Sequence, residues 1–209
     1  MRIGTPRAEE RVRFCGMFGI MAVAGLVCGA RIRALAGSYD DGPTWAPAPG
    51  AVELTCAAVV AVIAWRAGPA YACFAVIGTA LAVIDWRTST LPDAITLPAY
   101  PIMALALLPT GELAGALAGG AALIAVYGVL WLVRPDAMGF GDVKLAGLIG
   151  MACGTLGWEA VAAAALAGQA LGALYALVLL LTGRGTRHTQ FPFGPFMLLG
   201  AFTTLCLAG

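Results

Sequence analysis

Met138-Gly139-Phe140-Gly141-Asp142-Val143-Lys144 sets a carboxylate and an amine beside two glycines, between two long apolar runs. Ionisable groups at membrane depth are costly, so a functional role is their default reading. Glycine lets the backbone take angles closed to other residues and lets another chain come close. A plainer reading also fits: Asp142 and Lys144 mark where one helix stops and the next begins. Two things decide between them: whether the flanking runs cross a membrane, and whether a second acid returns to the same depth.

The composition answers the first. The 209 residues are 61% apolar and 11% charged, with a mean hydropathy of +0.90. Soluble domains carry about 25% charged residues, so this is the composition of a multi-span membrane protein. At roughly 20 residues per crossing, the length allows about eight (seven to eight) spans with short loops and no separate soluble domain. The expected fold is an all-α integral membrane bundle. Residues 1–50 form a tail, a first span and a short cytoplasmic loop, and residues 51–209 the membrane-embedded core. A net charge of +1 argues against nucleic acid as a partner and leaves the lipid bilayer as the surroundings. The six cysteines, at 15, 28, 56, 73, 153 and 206, form no Cys-x-x-Cys pair. Neither a metal site nor a disulfide framework is therefore expected, and no cofactor.

Phe14 to Ala30 is an apolar run just long enough to span, after a tail holding Arg2, Arg7, Arg11 and Arg13. A basic start and a short apolar run also describe a signal peptide, but no small-residue cleavage site precedes Arg31 and further spans follow at once. Arg31 to Gly50 reads as a loop. Ala51 to Trp65, with Glu53 at its interfacial start, and Pro69 to Ile84 are spans joined by a tight turn. Asp85 to Asp93 is a polar break, where Pro92 disfavours helix for its predecessor. Ala94 to Leu108 is a short span kinked by Pro98 and Pro101. Gly111, Gly115 and Gly119 recur every fourth residue on the span from Gly111 to Val133, a face for close packing. Arg134 to Gly141 reads as a loop and Lys144 to Gly154 as a short apolar segment. Trp158 to Leu181 spans again, with Gly168, Gly172 and a Gln169 expected to hydrogen-bond between helices. Gly183 to Gln190, holding His188, is a solvated loop, and Phe193 to Leu207 is the last span.

Short-loop Lys and Arg favour the cytoplasm. One set of loops carries seven (Arg31, Arg33, Arg87, Arg134, Lys144, Arg184, Arg187) and the other, counting internal loops, only Arg66. The four arginines of the tail run against this assignment. The seven-to-one count puts Asp85 and Asp142 on the same, cytoplasmic, side, because two spans separate them. Two carboxylates sharing a site do not both ionise easily, so one keeps its proton. Such a pair suits water activation by one acid and protonation of a carbonyl or leaving amine by the other, without a metal.

Three blocks in order carry a family likeness. They are Asp85 with Leu91-Pro92-Asp93 and Thr96-Leu97-Pro98; Gly139-Phe140-Gly141-Asp142-Val143-Lys144-Leu145; and Phe191-Pro192-Phe193-Gly194-Pro195-Phe196. From about residue 50 onward the chain resembles the bacterial prepilin peptidases (type IV leader peptidases), members of the Gly-x-Gly-Asp membrane aspartyl proteases. The resemblance implies an inner-membrane peptidase core over 51–209. It would remove the basic leader of prepilin or pseudopilin precursors at the cytoplasmic face, for pilus assembly or type II secretion. By the same likeness Asp85 and Asp142 are the catalytic pair and Asp93 a non-catalytic acid, although the residues alone leave Asp93 open as the partner. Gly139 and Gly141 would admit a substrate strand near Asp142. Lys144 would tune the pair, capture a substrate carbonyl or anchor the membrane edge. Pro92 would turn the chain at the site, and Pro192, Gly194 and Pro195 would shape the cleft wall. Longer family members carry a cytoplasmic domain with paired cysteines, linked to methylation of the new N-terminus. Residues 31–50 are short and lack cysteine, so the expectation is cleavage without methylation.

Two other readings compete. Intramembrane proteases of the signal peptide peptidase or presenilin kind share Gly-x-Gly-Asp, but pair it with Tyr-Asp and Pro-Ala-Leu blocks absent here. A small transporter or channel with a carboxylate proton or cation site would favour acids at the midplane of broken helices, whereas these acids stand at helix ends.

Overall fold

In a computed structural model, which describes residues 8–38, 50–135, 138–184 and 191–208, the chain forms a helical bundle. Eight α-helices are present among the described residues, with no strand: α1 Ala8–Ser38, α2 Ala51–Arg66, α3 Ala72–Thr88, α4 Asp93–Leu107, α5 Leu113–Val133, α6 Phe140–Gly154, α7 Trp158–Leu181 and α8 Gly194–Ala208. Single 3-10 turns at Pro69–Tyr71 and Leu108–Thr110 lengthen α3 and α4. The stretches Pro69–Thr88, Asp93–Thr110, Leu113–Val133 and Trp158–Leu181 are each long and apolar enough to cross a membrane.

The centre of the bundle is α6. From Asp142 to Gly154 every residue except Lys144 is buried. Its small residues make that enclosure possible. A Cβ on Gly150 would land on the backbone of Gly119, and one on Gly154 on the backbone of Gly115, so α5 and α6 touch main chain to main chain. In apolar surroundings such contact, rather than water exclusion, holds helices together. Gly115 and Gly119 thus do what their spacing predicts. Gly111 does not: it ends the 3-10 turn before α5 and faces open space. The α7–α8 pair is built likewise, with Gly168 against Met197 and Gly172 against the Phe193 ring. Gln169 of α7 hydrogen-bonds the buried Tyr127 of α5, the interhelical role expected of it.

Several boundaries differ from the sequence reading. The first helix continues through Arg31 and Arg33 to Ser38 instead of ending at Ala30. Ala, Arg and Leu are strong helix formers; Ile32 is buried, and Arg33 Nε pairs with Glu53 Oε1 of α2 at 3.0 Å. Helix α3 runs one turn beyond Ile84, so Asp85 is helical. It stops at Ser89, the only non-glycine residue with positive φ (50°) among those described. Gly141 and Asp142 belong to the first turn of α6 and not to a loop. Helix α4 runs through both Pro98 and Pro101. Arg2, Arg7, residues 39–49, Arg187 and His188 lie outside the described residues.

Alternating direction brings the end of α3 and the starts of α4, α6 and α8 to one end of the bundle. At the opposite end Arg66 Nε donates to the Cys206 carbonyl of α8 (3.0 Å), and the Tyr71 and Thr155 hydroxyls share a hydrogen bond of 2.6 Å.

Candidate active site

Asp85 lies in the last turn of α3 and is 4% exposed. The Gly194 N–H, at the start of α8, donates to its Oδ2 at 2.9 Å. The first N–H groups of a helix have no intrahelical acceptor. Pro195 has none to offer, which leaves that of Gly194 for the carboxylate. Only glycine fits at 194, because a Cβ there would sit 2.8 Å from Asp85 Oδ2 and 3.2 Å from a methyl of Leu145 on α6. That triple contact joins α3, α8 and α6 one turn above Asp142.

Asp142 is 8% exposed in the first turn of α6, where its own N–H bonds the Gly139 carbonyl at 3.0 Å. The nearest atom to a Cβ at Gly139 would be Asp142 Oδ2, at 3.6 Å, so this glycine leaves the face of the carboxylate open. The two acids, 57 positions apart in the chain, stand at the same end of the bundle, with Gly194 between Asp85 and Leu145 of the helix that carries Asp142.

Asp93 occupies a different place. It opens α4, is 59% exposed, and pairs with Lys144 Nζ. The ammonium also lies 5.0 Å from the centroid of the Phe140 ring, a cation–π distance. Lys144 is thus engaged by protein groups on two sides. Pro92 caps α4, its carbonyl accepting from the Ile95 and Thr96 N–H groups and the Thr96 hydroxyl. The space left by Gly141 is taken by the Leu91 side chain, 2.9 Å from where a Cβ would be. Pro192 leads into α8 and Pro195 sits in its first turn.

Three features escaped the sequence reading. Tyr100 of α4 donates its hydroxyl to the Lys144 carbonyl at 2.7 Å, in room left by Gly147. Its signal was its place seven residues, two helical turns, after Asp93 and on the same face. Tyr127 of α5 is buried in the bundle with its hydroxyl bonded to Gln169 of α7. Trp86, Tyr175, Phe191 and Phe196 form an aromatic cluster beside Asp85, with ring centroids 4.9–6.5 Å apart. Among the described residues no group of three or more His, Cys, Asp or Glu gathers as metal ligands do.

The sequence model of the type IV leader peptidase family matches residues 72–177, about half of the chain, from the start of α3 into α7. The chain belongs to the type IV leader peptidase family. Both aspartates lie inside the matched stretch, and the Pro-Phe-Gly-Pro block lies beyond it. The chain is similar to a prepilin leader peptidase/N-methyltransferase of Pseudomonas putida, 33% identical over 163 residues, covering 72% of this chain and 56% of the relative. A protein of the same description from Escherichia coli K12 is 35% identical over 145 residues, 65% of this chain and 60% of that one. The Bacillus subtilis protein of that description is 32% identical over 123 residues, 58% and 48% respectively. The chain thus spans about half the length of the curated relatives it matches. No solved structure matches it.

Proposed function

We propose that this leader peptidase family member is a membrane aspartic endopeptidase. It removes the basic leader from type IV prepilins or pseudopilins at the cytoplasmic face, with Asp85 and Asp142 as its catalytic pair. The observation that carries the reading is the presence of two buried carboxylates, on α3 and α6, at a shared end of the bundle. Asp93, exposed and engaged by Lys144, has neither property.

The pair holds one proton between its two carboxyl groups. The ionised carboxylate takes a proton from water as the hydroxide oxygen attacks the scissile carbonyl carbon, while the protonated carboxyl gives its proton to the carbonyl oxygen. Collapse of the tetrahedral intermediate breaks the C–N bond. The proton taken from water then goes to the departing amine, which is the new N-terminus, while a hydroxyl of the intermediate returns its proton to the other carboxylate as the carbonyl re-forms, and the pair is again singly protonated. The Gly194 N–H keeps Asp85 Oδ2 oriented through these steps. The basic residues near this end, Arg87, Arg134, Lys144 and Arg184, support a cytoplasmic orientation. The relatives' names couple peptidase with N-methyltransferase; only the peptidase step is proposed here, because residues 31–50 hold no cysteine.

The test is co-expression with a type IV prepilin and measurement of the mobility shift of leader loss. General acid–base groups contribute about 10²–10⁴-fold, so Asp85→Ala and Asp142→Ala should each abolish visible cleavage while the protein accumulates normally in membranes. Full cleavage by either variant would refute the assignment.

A further inference from the structure

We infer that Asp93, Lys144 and Tyr100 form a clasp that fixes the separation of Asp85 and Asp142, and that Lys144 acts on the reaction through Asp93 and not by touching the substrate. This rests on the reading of Asp85 and Asp142 as the catalytic pair.

The clasp is a run of contacts from the backbone of Asp85 to the residues on either side of Asp142. At the α3 end the Ser89 N–H bonds the carbonyl of Asp85 itself at 2.7 Å, and the Thr88 hydroxyl bonds the Ile84 carbonyl at 2.9 Å and the Thr90 hydroxyl at 2.8 Å. Residues 89–92 alone separate α3 from α4, so the end of α3 and the start of α4 move together. From there three side chains reach the first turn of α6. Leu91 fills the space over Gly141, Asp93 pairs with Lys144 Nζ, and the Tyr100 hydroxyl bonds the Lys144 carbonyl. These three contacts fall on residues 141 and 144, which bracket Asp142. Gly194 of α8, between Asp85 and Leu145, ties α3 to α6 one turn further along, and the clasp adds a second tie from α4 at residues 141 and 144.

Lys144 has three N–H donors; one is committed to Asp93 and the ammonium lies over the Phe140 ring, so its place is set by α4 and by its own helix. An ion pair as exposed as this one contributes little to folding stability, so its removal should be felt in the rate and scarcely in the melting temperature.

The experiment measures kcat and KM for leader removal from a purified type IV prepilin, together with thermal unfolding of each variant, alongside the inactive Asp85→Ala and Asp142→Ala controls. Misplacing reacting groups by about 1 Å costs about a hundredfold. Asp93→Asn, Lys144→Met and Tyr100→Phe should therefore each lower kcat, by about ten- to a hundredfold for the two charged residues, with KM within about twofold of the parent. The double variant Asp93→Asn/Lys144→Met should be no worse than the poorer single one, because both remove the same contact. Asp93→Glu and Lys144→Arg should recover most of the lost rate. If Lys144→Met raises KM while Asp93→Asn leaves both constants unchanged, Lys144 contacts substrate and the clasp is overturned. Additive losses in the double variant, or losses that only follow a fall in melting temperature, overturn it as well. Cleavage by the two aspartate controls would instead remove the catalytic pair, and the clasp with it.

Discussion

Gly194→Ala is the smallest change that reaches the proposed catalytic pair without altering a titratable group. The added methyl would stand 2.8 Å from Asp85 Oδ2, and ordinary contact begins at 3.4 Å, so the carboxylate has to withdraw by about 0.6 Å. Leu145 yields more readily, because the atom met at 3.2 Å is the free end of a flexible side chain. Withdrawal stretches the 2.9 Å hydrogen bond from the Gly194 N–H. Hydrogen bonds to charged groups are worth about 1.5–3 kcal/mol, and each 1.36 kcal/mol is about tenfold in rate. The expected result is a fall of about ten- to a hundredfold in kcat/KM, with an overpacking cost of about 1–3 kcal/mol in stability. The assay is the initial rate of leader removal from purified prepilin, read beside thermal unfolding in the same detergent. Parental cleavage rates in a normally folded Gly194→Ala protein would show that Asp85 does not work from the position that Gly194 gives it.

Gly150→Ala should destabilise the bundle by more than the usual overpacking range of about 1–3 kcal/mol. Its methyl meets the Gly119 carbonyl carbon at 2.7 Å and the Gly120 Cα at 2.8 Å, neither of which can rotate away; a lowered melting temperature is the measurement. Tyr71→Phe removes the hydrogen bond to Thr155 at the far end of the bundle. It should lower stability by about 1 kcal/mol and leave leader cleavage at the parental rate.

The sequence made Asp85 and Asp142 legible because the parity of spans is a counting matter, and intervening apolar runs of adequate length leave little freedom. Glycine spacing worked on α5 where both partners were helical. It failed at Gly111, whose neighbours Pro109 and Thr110 end a turn before α5 starts. Helix ends were misread at several charged boundaries, though not at Arg134, which follows the last residue of α5 as expected. Arg31, Arg33, Asp85 and Asp142 are all helical, since a charged residue in a terminal turn can reach a partner or another helix's N–H without leaving the helix. Which of Asp85 and Asp93 is buried against α8 and which is met by Lys144 was beyond a linear reading. Tyr100 was hidden for a similar reason: an aromatic residue in an apolar run declares its hydroxyl only when a backbone carbonyl comes into reach.

The enclosure of α6 has a consequence for where chemistry takes place relative to lipid. A helix bathed in acyl chains adjusts its tilt when the bilayer thickens or thins, and any group it carries rises or sinks with it. The helix bearing Asp142 presents almost nothing to lipid along its buried length. Changes in bilayer thickness fall on the surrounding helices, and the depth of this carboxylate is set by its protein neighbours.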